Sequence, residues 1–421
     1  MAKNHSNEHY IVAIDIGSSK IVVFFAEQRG ERLEIFGQAR GKSDGVVNGE
    51  VVDSSALSRA IKEVGDAACL SCNSNFDSVN VNISDANIKV FNLNPHTYLD
   101  SGKVRESDVK SIIKTAEAVK MEKTARHINS VAQRYILDKD PHTNQGVVVK
   151  QPIGESADTL EVNMHIVCVS EQQAKNIERS IAANGSKVLN FVPSSMAAGE
   201  SYLTQEQKNS GICLVDIGSG TMDLSVFKNG SIFYSGVIQQ GADLVSNAIA
   251  DAFGASFAEA ERLKLKRGQA QVKNIIEDEL ISFKKAQSSK DYYLSYQALI
   301  EVIEEAYEQL FTAIKANLKE QNLLRSLNSG FVLVGGGAKM QGLDDLALDC
   351  LKKRSKIGRI STNLIRIDTN SISTNEDLLA PEYASAIGLL LFKNDESGLK
   401  EQQSNNNEGI LSKIREIKKS F

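Results

Sequence analysis

The sequence predicts an α/β chain whose two halves repeat one unit: a strand, a Gly-rich turn and two further strands. The stretch "YIVAIDIGSSK" at 10–20 and the stretch "ICLVDIGSGTMD" at 212–223 both run from an apolar strand into Asp-Ile-Gly and a pair of hydroxyls. Their opening aspartates, Asp15 and Asp216, are 216 − 15 = 201 residues apart, and the strand order after each is the same, which points to duplication. A third Gly-rich strand end, "FVLVGGG" at 331–337, falls in the second half.

In chain order, the first half begins with three expected strands, 10–15, 21–27 and 33–38. Asp53 or Ser54 caps a helix towards Ala68, since Leu57, Ile61, Val64 and Ala68 recur at helical spacing. Val79, Val81 and Ile83 alternate with polar residues, the pattern of a half-buried strand. From about 85 to 165 the texture changes to polar loops, one helix near 106–120 and a strand at 162–169, which reads as an insertion with its own small fold. A helix over 171–184 stops at Gly185. The repeat then gives strands 212–216, 221–227 and 231–237. Residues 241–329 read mostly as helix with polar loops, and a last helix over 383–392 ends the folded part.

The length of 421 residues calls for more than one domain, and 42% hydrophobic with 24% charged residues is ordinary for a soluble chain. A net charge of −5 argues against nucleic acid as a partner. Five cysteines, Cys69, Cys72, Cys168, Cys213 and Cys350, fit reduced thiols. Cys69 and Cys72 have the spacing of a redox or zinc pair, but they continue a helical pattern and no second Cys/His pair completes a metal site. The first ten residues lack a secretory pattern, and no apolar run approaches the ~18 residues of a membrane span, so a cytoplasmic location is expected.

The two turns have the chemistry of a phosphate site. Gly17 and Gly218 let backbone N–H groups close on an anion, Gly220 does the same, and Ser18, Ser19, Ser219 and Thr221 add hydroxyl donors. Lys20 adds positive charge. Carboxylates would repel phosphate unless a cation lies between, so Asp15, Asp216 and Asp223 are expected to hold Mg²⁺ through its waters. Two such turns facing each other would hold a triphosphate from both sides. The glycines at 335–337 match neither the dinucleotide fingerprint nor the Walker A loop.

The stretches "VAIDIGSSK", "LVDIGSGTMDLSVF" and "VLVGGGAKMQGL" resemble the first phosphate, second phosphate and adenosine motifs of the actin/Hsp70/sugar-kinase superfamily. With "AEAERLKLKRG" at 258–268, the segment between the phosphate motifs and the tail, the chain resembles the FtsA family of bacterial cell-division proteins over about 9–392 and its C-terminus. The resemblance implies an actin-like two-lobed α/β fold with duplicated mixed sheets flanked by helices. It places lobe 1 at 1–84 and 166–204, an inserted subdomain at 85–165, lobe 2 at 205–244 and 331–393, and a further subdomain at 245–330. It implies ATP with Mg²⁺ between the lobes, Glu261 and Lys264 at the ribose and adenine, and Gly335, Gly336 and Gly337 packing on the nucleotide. In polymerising relatives a polar or acidic residue ahead of the interdomain helix positions the attacking water. The matching position here lies near Ser194, with Glu200 close in sequence, and slow hydrolysis is expected because serine needs a base.

The chain ends in "GILSKIREIKKSF" at 409–421, after a polar stretch at 394–408 expected to be a disordered linker. Ile410, Leu411, Ile414, Ile417 and Phe421 form one helical stripe, and Lys413, Arg415, Lys418 and Lys419 outweigh Glu416. A helix of 13 residues is roughly 20 Å long, too short to cross a bilayer and suited to lying on an anionic one. The family resemblance implies a protein on the inner face of the cell membrane at the division site. It also implies partnership with the tail of the tubulin-like protein FtsZ at about 245–330, with later division proteins at 85–165, and with copies of itself. A small-molecule kinase of the superfamily would need a catalytic carboxylate motif that does not stand out. An Hsp70-like chaperone would need a peptide-binding domain where 29 residues remain after 392. A pilus-assembly homologue leaves the basic tail unexplained.

Overall fold

The computed structural model describes residues 10–118, 122, 124–360, 364–368 and 377–392. The tail residues Ile410, Leu411, Lys413, Ile414, Ile417, Lys418 and Phe421, and the 394–408 stretch, lie outside the described residues. Contacts divide the chain into two units, the first described within 10–90, 122–129 and 167–392, the second within 91–118 and 130–166.

The first unit holds two sheets of the same design. In one, Tyr10–Ile16, Lys20–Arg29 and Arg32–Lys42 form an antiparallel meander, and Ser78–Ile83 and then Lys187–Pro193 add in parallel beside Tyr10–Ile16. In the other, Ile212–Ile217, Met222–Lys228 and Ser231–Ile238 form the meander, and Gly330–Val334 and then Ser355–Ile357 add in parallel beside Ile212–Ile217. The register repeats as well: Ala13 pairs with Asn80 as Leu214 pairs with Val332, each two residues before its aspartate. Ile365–Ile367 extends the first sheet.

Each sheet carries its own core. Ser54–Cys72 and Glu171–Ala182 bury Leu57, Ile61, Val64, Ile177 and Ile181 against Ile14, Val23 and Phe25 of the first. Tyr296–Glu320 and Asp243–Phe253 bury Ile303, Tyr307, Leu310 and Ile249 against Val215, Leu224 and Phe331 of the second. Full burial of such side chains contributes about 1.5–3 kcal/mol each. Asp53 is the cap of Ser54–Cys72, its carboxylate accepting from the amides of Ser55 and Ala56 at 2.8 and 3.0 Å. Cys69 and Cys72 sit in that helix's last turn as free thiols, and burial pushes Cys69 up to about 11.

Three expectations need correction. The stretch read as helix and polar loop at 241–329 contains a β-hairpin, Leu280–Lys284 paired with Asp291–Ser295, whose inward Ile281, Phe283 and Leu294 are buried. The "polar loops" of the insertion are largely strands. Val147–Val149, Ala125–Leu137, Thr159–Ser170 and Lys89–Leu93 lie in one sheet, to which His96–Tyr98 also pairs, and Glu106–Glu117 is its helix. The polar side of Ser78–Ile83 does not face water, because Asn80 and Asn82 are buried.

Candidate functional site

The two Asp-Ile-Gly turns are built alike. Ile16 pairs with Ile21 and Ile217 with Met222, and the Gly17 and Gly218 amides each close the turn on the carbonyl of Lys20 or Thr221 at 2.9 Å. A β-carbon on either glycine would meet that same carbonyl, at 3.1 and 3.2 Å. The turns face each other. A β-carbon on Gly220 would fall 2.9 Å from Ser18 Oγ and 2.8 Å from Asn48 Cα, so only a glycine lets them approach this closely. The Asn48–Gly49 turn closes one side: both residues have positive φ, and the Gly49 amide donates to Ser18 Oγ at 3.0 Å.

Behind the turns stand three carboxylates, Asp15, Asp216 and Asp223. Burial pushes Asp15 up to about 7, with Lys20 opposing and Asp216 adding to the rise. Burial and then Asp216 push Asp223 up to about 8, against hydrogen bonds from Ser84 and Thr221. Asp216 is raised by burial, against the Ser385 hydroxyl and Lys20. Burial lowers Lys20, whose ammonium donates to the Glu382 carbonyl at 2.8 Å and lies 4.7 Å from the Tyr383 ring centre. Three carboxylates held in this state form a site where a cation is electrostatically favoured. Asp223 Oδ1 and Ser219 Oγ are buried without a hydrogen-bond partner among the described residues, so oxygen donors are in place. The orphaned Asp223 Oδ1, with the carboxylates of Asp15 and Asp216 beside it, fits a hydrated Mg²⁺ reached through its waters, and no three His, Cys, Asp or Glu among the described residues are grouped to grip an ion directly.

The third glycine run packs on the second turn. Gly335 has φ of 88°, and a β-carbon there would strike Asp216 Oδ1 at 2.3 Å and the Ile217 carbonyl at 2.5 Å. Gly337 packs on Ile217 and its carbonyl accepts from the Tyr307 hydroxyl at 2.9 Å, whereas a β-carbon on Gly336 would meet nothing within 4 Å. Glu261 and Lys264 pair with each other at 2.6 Å on one turn of Phe257–Arg267. Lys264 is buried and donates to the Ala242 carbonyl at 3.1 Å, while Ser246 holds Glu261. Ala242 and Asp243 in turn donate to the carbonyls of Gly218 and Ser219 at 2.9 and 2.8 Å. The pair is thereby tied to the second turn through Ala242.

Ser194 opens the helix Ser194–Tyr202 and is buried, its hydroxyl accepting from Asn82 Nδ2 at 3.1 Å. Glu200 is exposed and pairs with Lys208 at 3.0 Å. Neither arrangement supplies Ser194 with a base. Sequence reasoning passed over Asn48, Gly49, Ser84, Gly241, Glu382 and Ser385. Ser84 lies 3.0 Å from Asp223 Oδ2, Ser385 2.6 Å from Asp216 Oδ2, and Gly241 packs on the Gly218 and Ser219 carbonyls. The glycine in "NGE" was the one local signal among them, since Asn-Gly marks a turn.

Comparison with known proteins agrees with this architecture. Residues 213–388 match the model of the family described as cell division protein FtsA, and 86–168 match the SHS2 domain inserted in FtsA. The cell division protein FtsA of Pseudomonas aeruginosa is 29% identical over 383 residues, covering 91% of this chain and 88% of that one. That of Escherichia coli K12 is 27% identical, covering 91% and 90%, and that of Borreliella burgdorferi 27% identical, covering 97% and 95%. Among solved structures, a PilM–PilN type IV pilus biogenesis complex shares the fold with a TM-score of 0.62 at 15% identity, covering 90% of this chain and 97% of that one. The MreB5 of Spiroplasma citri bound to ADP does so with a TM-score of 0.55 at 13% identity, covering 95% and 100%.

Proposed function

Since the chain belongs to the FtsA family of cell-division proteins, we propose that it is an ATP-binding, actin-like tether that holds FtsZ filaments to the inner face of the cell membrane. The observation that carries the nucleotide part is the meeting of the two similarly built turns at Gly220 and Ser18, with buried Asp15 and Asp223 and half-buried Asp216 behind them. Gly17, Ser18, Ser19 and Lys20 would bind phosphate from one lobe and Gly218, Ser219, Gly220 and Thr221 from the other. Asp15, Asp216 and Asp223 would orient the waters of Mg²⁺, which supplies charge neutralisation for the phosphates. The open space at Gly336 and the Glu261–Lys264 pair suit adenosine. Hydrolysis is slow on this reading, because the Ser194 hydroxyl accepts from Asn82 and has no base beside it, and Glu200 is held by Lys208.

The tail supplies the membrane contact. Each basic residue near an anionic surface contributes about 1 kcal/mol, and one short helix is a weak anchor. Several anchors on one filament bind far more tightly by effective concentration, so nucleotide, self-assembly and membrane form one mechanism. The family resemblance assigns the FtsZ tail to 245–330, where Ile276, Leu280 and Tyr293 are exposed, and later division proteins to the insertion.

Co-sedimentation with anionic liposomes tests this, comparing the full chain with a version ending at Glu408, with and without Mg-ATP. The tether reading expects only the full chain to pellet, and more with ATP. If both versions stay in the supernatant throughout, the tail is a docking helix, and a search for phosphoryl acceptors, the kinase reading, takes precedence.

A further inference from the structure

The strand Ser78–Ile83 stands between two parallel partners, Tyr10–Ile16 and Lys187–Pro193, a position where both faces are covered and apolar residues are the rule. Here two of the alternate residues, Asn80 and Asn82, are polar and buried. Asn80 is 5% exposed and Asn82 4%, and Ser84 follows at the strand's end. The duplicated strand provides an internal comparison. The shared register sets Asn80 and Asn82 opposite Val332 and Val334, so only one copy of the repeat carries the row. Buried amides cost free energy unless satisfied, and these are satisfied by three different parts of the molecule.

Asn80 Nδ2 donates to the Leu389 carbonyl at 3.0 Å, in the last turn of Ala384–Leu391, and Asn80 Oδ1 accepts from Asn190 at 2.9 Å. The amide of Asn82 is fully used. Its Oδ1 accepts from the Ile16 amide at 2.6 Å, and its Nδ2 donates to the Ile16 carbonyl at 3.2 Å and to Ser194 Oγ at 3.1 Å. Ile16 is the residue between Asp15 and Gly17, so Asn82 grips the backbone of the first phosphate turn by both its polar groups. Ser84 reaches the other lobe, donating to Asp223 Oδ2 at 3.0 Å, where Thr221 also donates at 3.1 Å. The Ser194 carbonyl, in turn, lies 3.2 Å from the Ser385 hydroxyl, which is 2.6 Å from Asp216.

We propose that Asn82 is a positioning residue for the nucleotide: it fixes the first phosphate turn at Ile16 and, through Ser194 and Ser385, sets that turn relative to Asp216 of the second. The proposal rests on the nucleotide reading of the same site. It assigns different work to two neighbouring asparagines. Asn82 governs phosphate affinity, and Asn80, which touches neither turn, contributes to stability alone.

Full-length Asn82→Ala and Asn80→Ala are compared with the parent by calorimetric titration with Mg-ATP, and by hydrogen exchange of the Ile16 amide in the nucleotide-free protein. Asn82→Ala is expected to weaken Mg-ATP binding at least tenfold and to speed Ile16 exchange, while Asn80→Ala stays within twofold on both. Asn82→Asp, which keeps the acceptor for Ile16 but loses both donors, falls between, with Ile16 protection largely retained. Where Asn82→Ala does not fold, Asn82→Asp carries the comparison alone, and parent-like affinity for it overturns the proposal. Equal weakening by the two alanine variants, or parent-like affinity for Asn82→Ala, also overturns it while leaving the nucleotide reading intact. No Mg-ATP binding by the parent removes the nucleotide reading and the proposal together.

Discussion

Gly220→Ala asks whether the two turns must meet for nucleotide to bind. Gly220 is outside the left-handed region, so alanine meets no backbone penalty and its whole effect comes from contact. The new methyl would lie 2.8 Å from Asn48 Cα, 2.9 Å from Asn48 Oδ1 and 2.9 Å from Ser18 Oγ. Ordinary contact begins at 3.4 Å, and the Asn48 atom is backbone, so the turns must part by about 3.4 − 2.8 = 0.6 Å. Overpacking of this kind costs about 1–3 kcal/mol. At tenfold per 1.4 kcal/mol, the closed arrangement loses roughly 5- to 150-fold in population. A ligand that binds only the closed arrangement weakens by the same factor. The assay is Mg-ATP titration by calorimetry, with thermal melting of the nucleotide-free protein beside it. The expected result is a ten- to hundredfold weaker affinity and a lower melting temperature. Parent-like affinity would show that the turns do not meet around the nucleotide, and the facing-turn argument would fail.

Gly336→Ala should leave the melting temperature of the nucleotide-free protein unchanged, because its methyl enters open space, and should weaken ATP if adenosine fills that space; unchanged binding places the base elsewhere. Gly388→Ala drives a methyl to 1.9 Å from the Ala197 carbonyl, where Ala384–Leu391 meets Ser194–Tyr202, and should cost at least about 3 kcal/mol; a parent-like urea midpoint would refute the crossing. His165, in the second unit, is buried with Nδ1 on Asn92 Oδ1 at 2.9 Å and Nε2 without a partner among the described residues, and burial lowers it to about 4 from the usual 6.5. Below pH 6.5 the unfolded chain takes a proton that the folded one refuses, so the stability present above that pH is lost as pH falls towards 4. The loss is about 2 kcal/mol at pH 5. Denaturant titrations at pH 7 and pH 5 should show that difference shrinking in His165→Gln, and an equal difference in both proteins would refute it.

The repeat was legible because it is written in strong local signals. An apolar strand that ends in Asp-Ile-Gly has few other readings, and the same pattern twice sets the order of both sheets. The two Asp-Ile-Gly turns and the helix that holds Cys69 and Cys72 follow from such patterns. The hairpin at 280–295 was hidden because "LISFK" and "DYYLS" are five residues each, too short to set a period against the helices on either side. Ser84 and Ser385 were hidden for another reason. Each is an ordinary serine in its own stretch, and its partner lies 139 or 169 residues away. Only the closure of the fold gives it a role.

Asn80 and Asn82 show what periodicity can and cannot tell. Alternation in "SVNVNI" says that the two faces of the strand differ, and it says nothing of what covers the polar one. Water is the usual cover, and it is absent here because Ser78–Ile83 is an interior strand with the helices Ala384–Leu391 and Ser194–Tyr202 on its polar side. The repeat held the missing clue. Once the two Asp-Ile-Gly strands are aligned, the strand beside the second reads "VLV", apolar on both faces, in the place where the first reads "NVN". Two copies of one design that bury the same position should differ in polarity only where one has something to hold. The difference therefore marks the strand whose buried face holds three other segments: the helix Ala384–Leu391 through Asn80, the first Asp-Ile-Gly turn through Asn82 and the Asp223 carboxylate through Ser84. An Asn82→Val, Asn80→Val double variant, which copies the second repeat into the first, should on this argument still fold while releasing the turn from Ser194, with stability lowered by about 1–3 kcal/mol for each buried partner left unmet. Nucleotide affinity lost in the double variant but kept in Asn80→Val would be the signature. Affinity kept would mean the row is a packing variant of the repeat and nothing more.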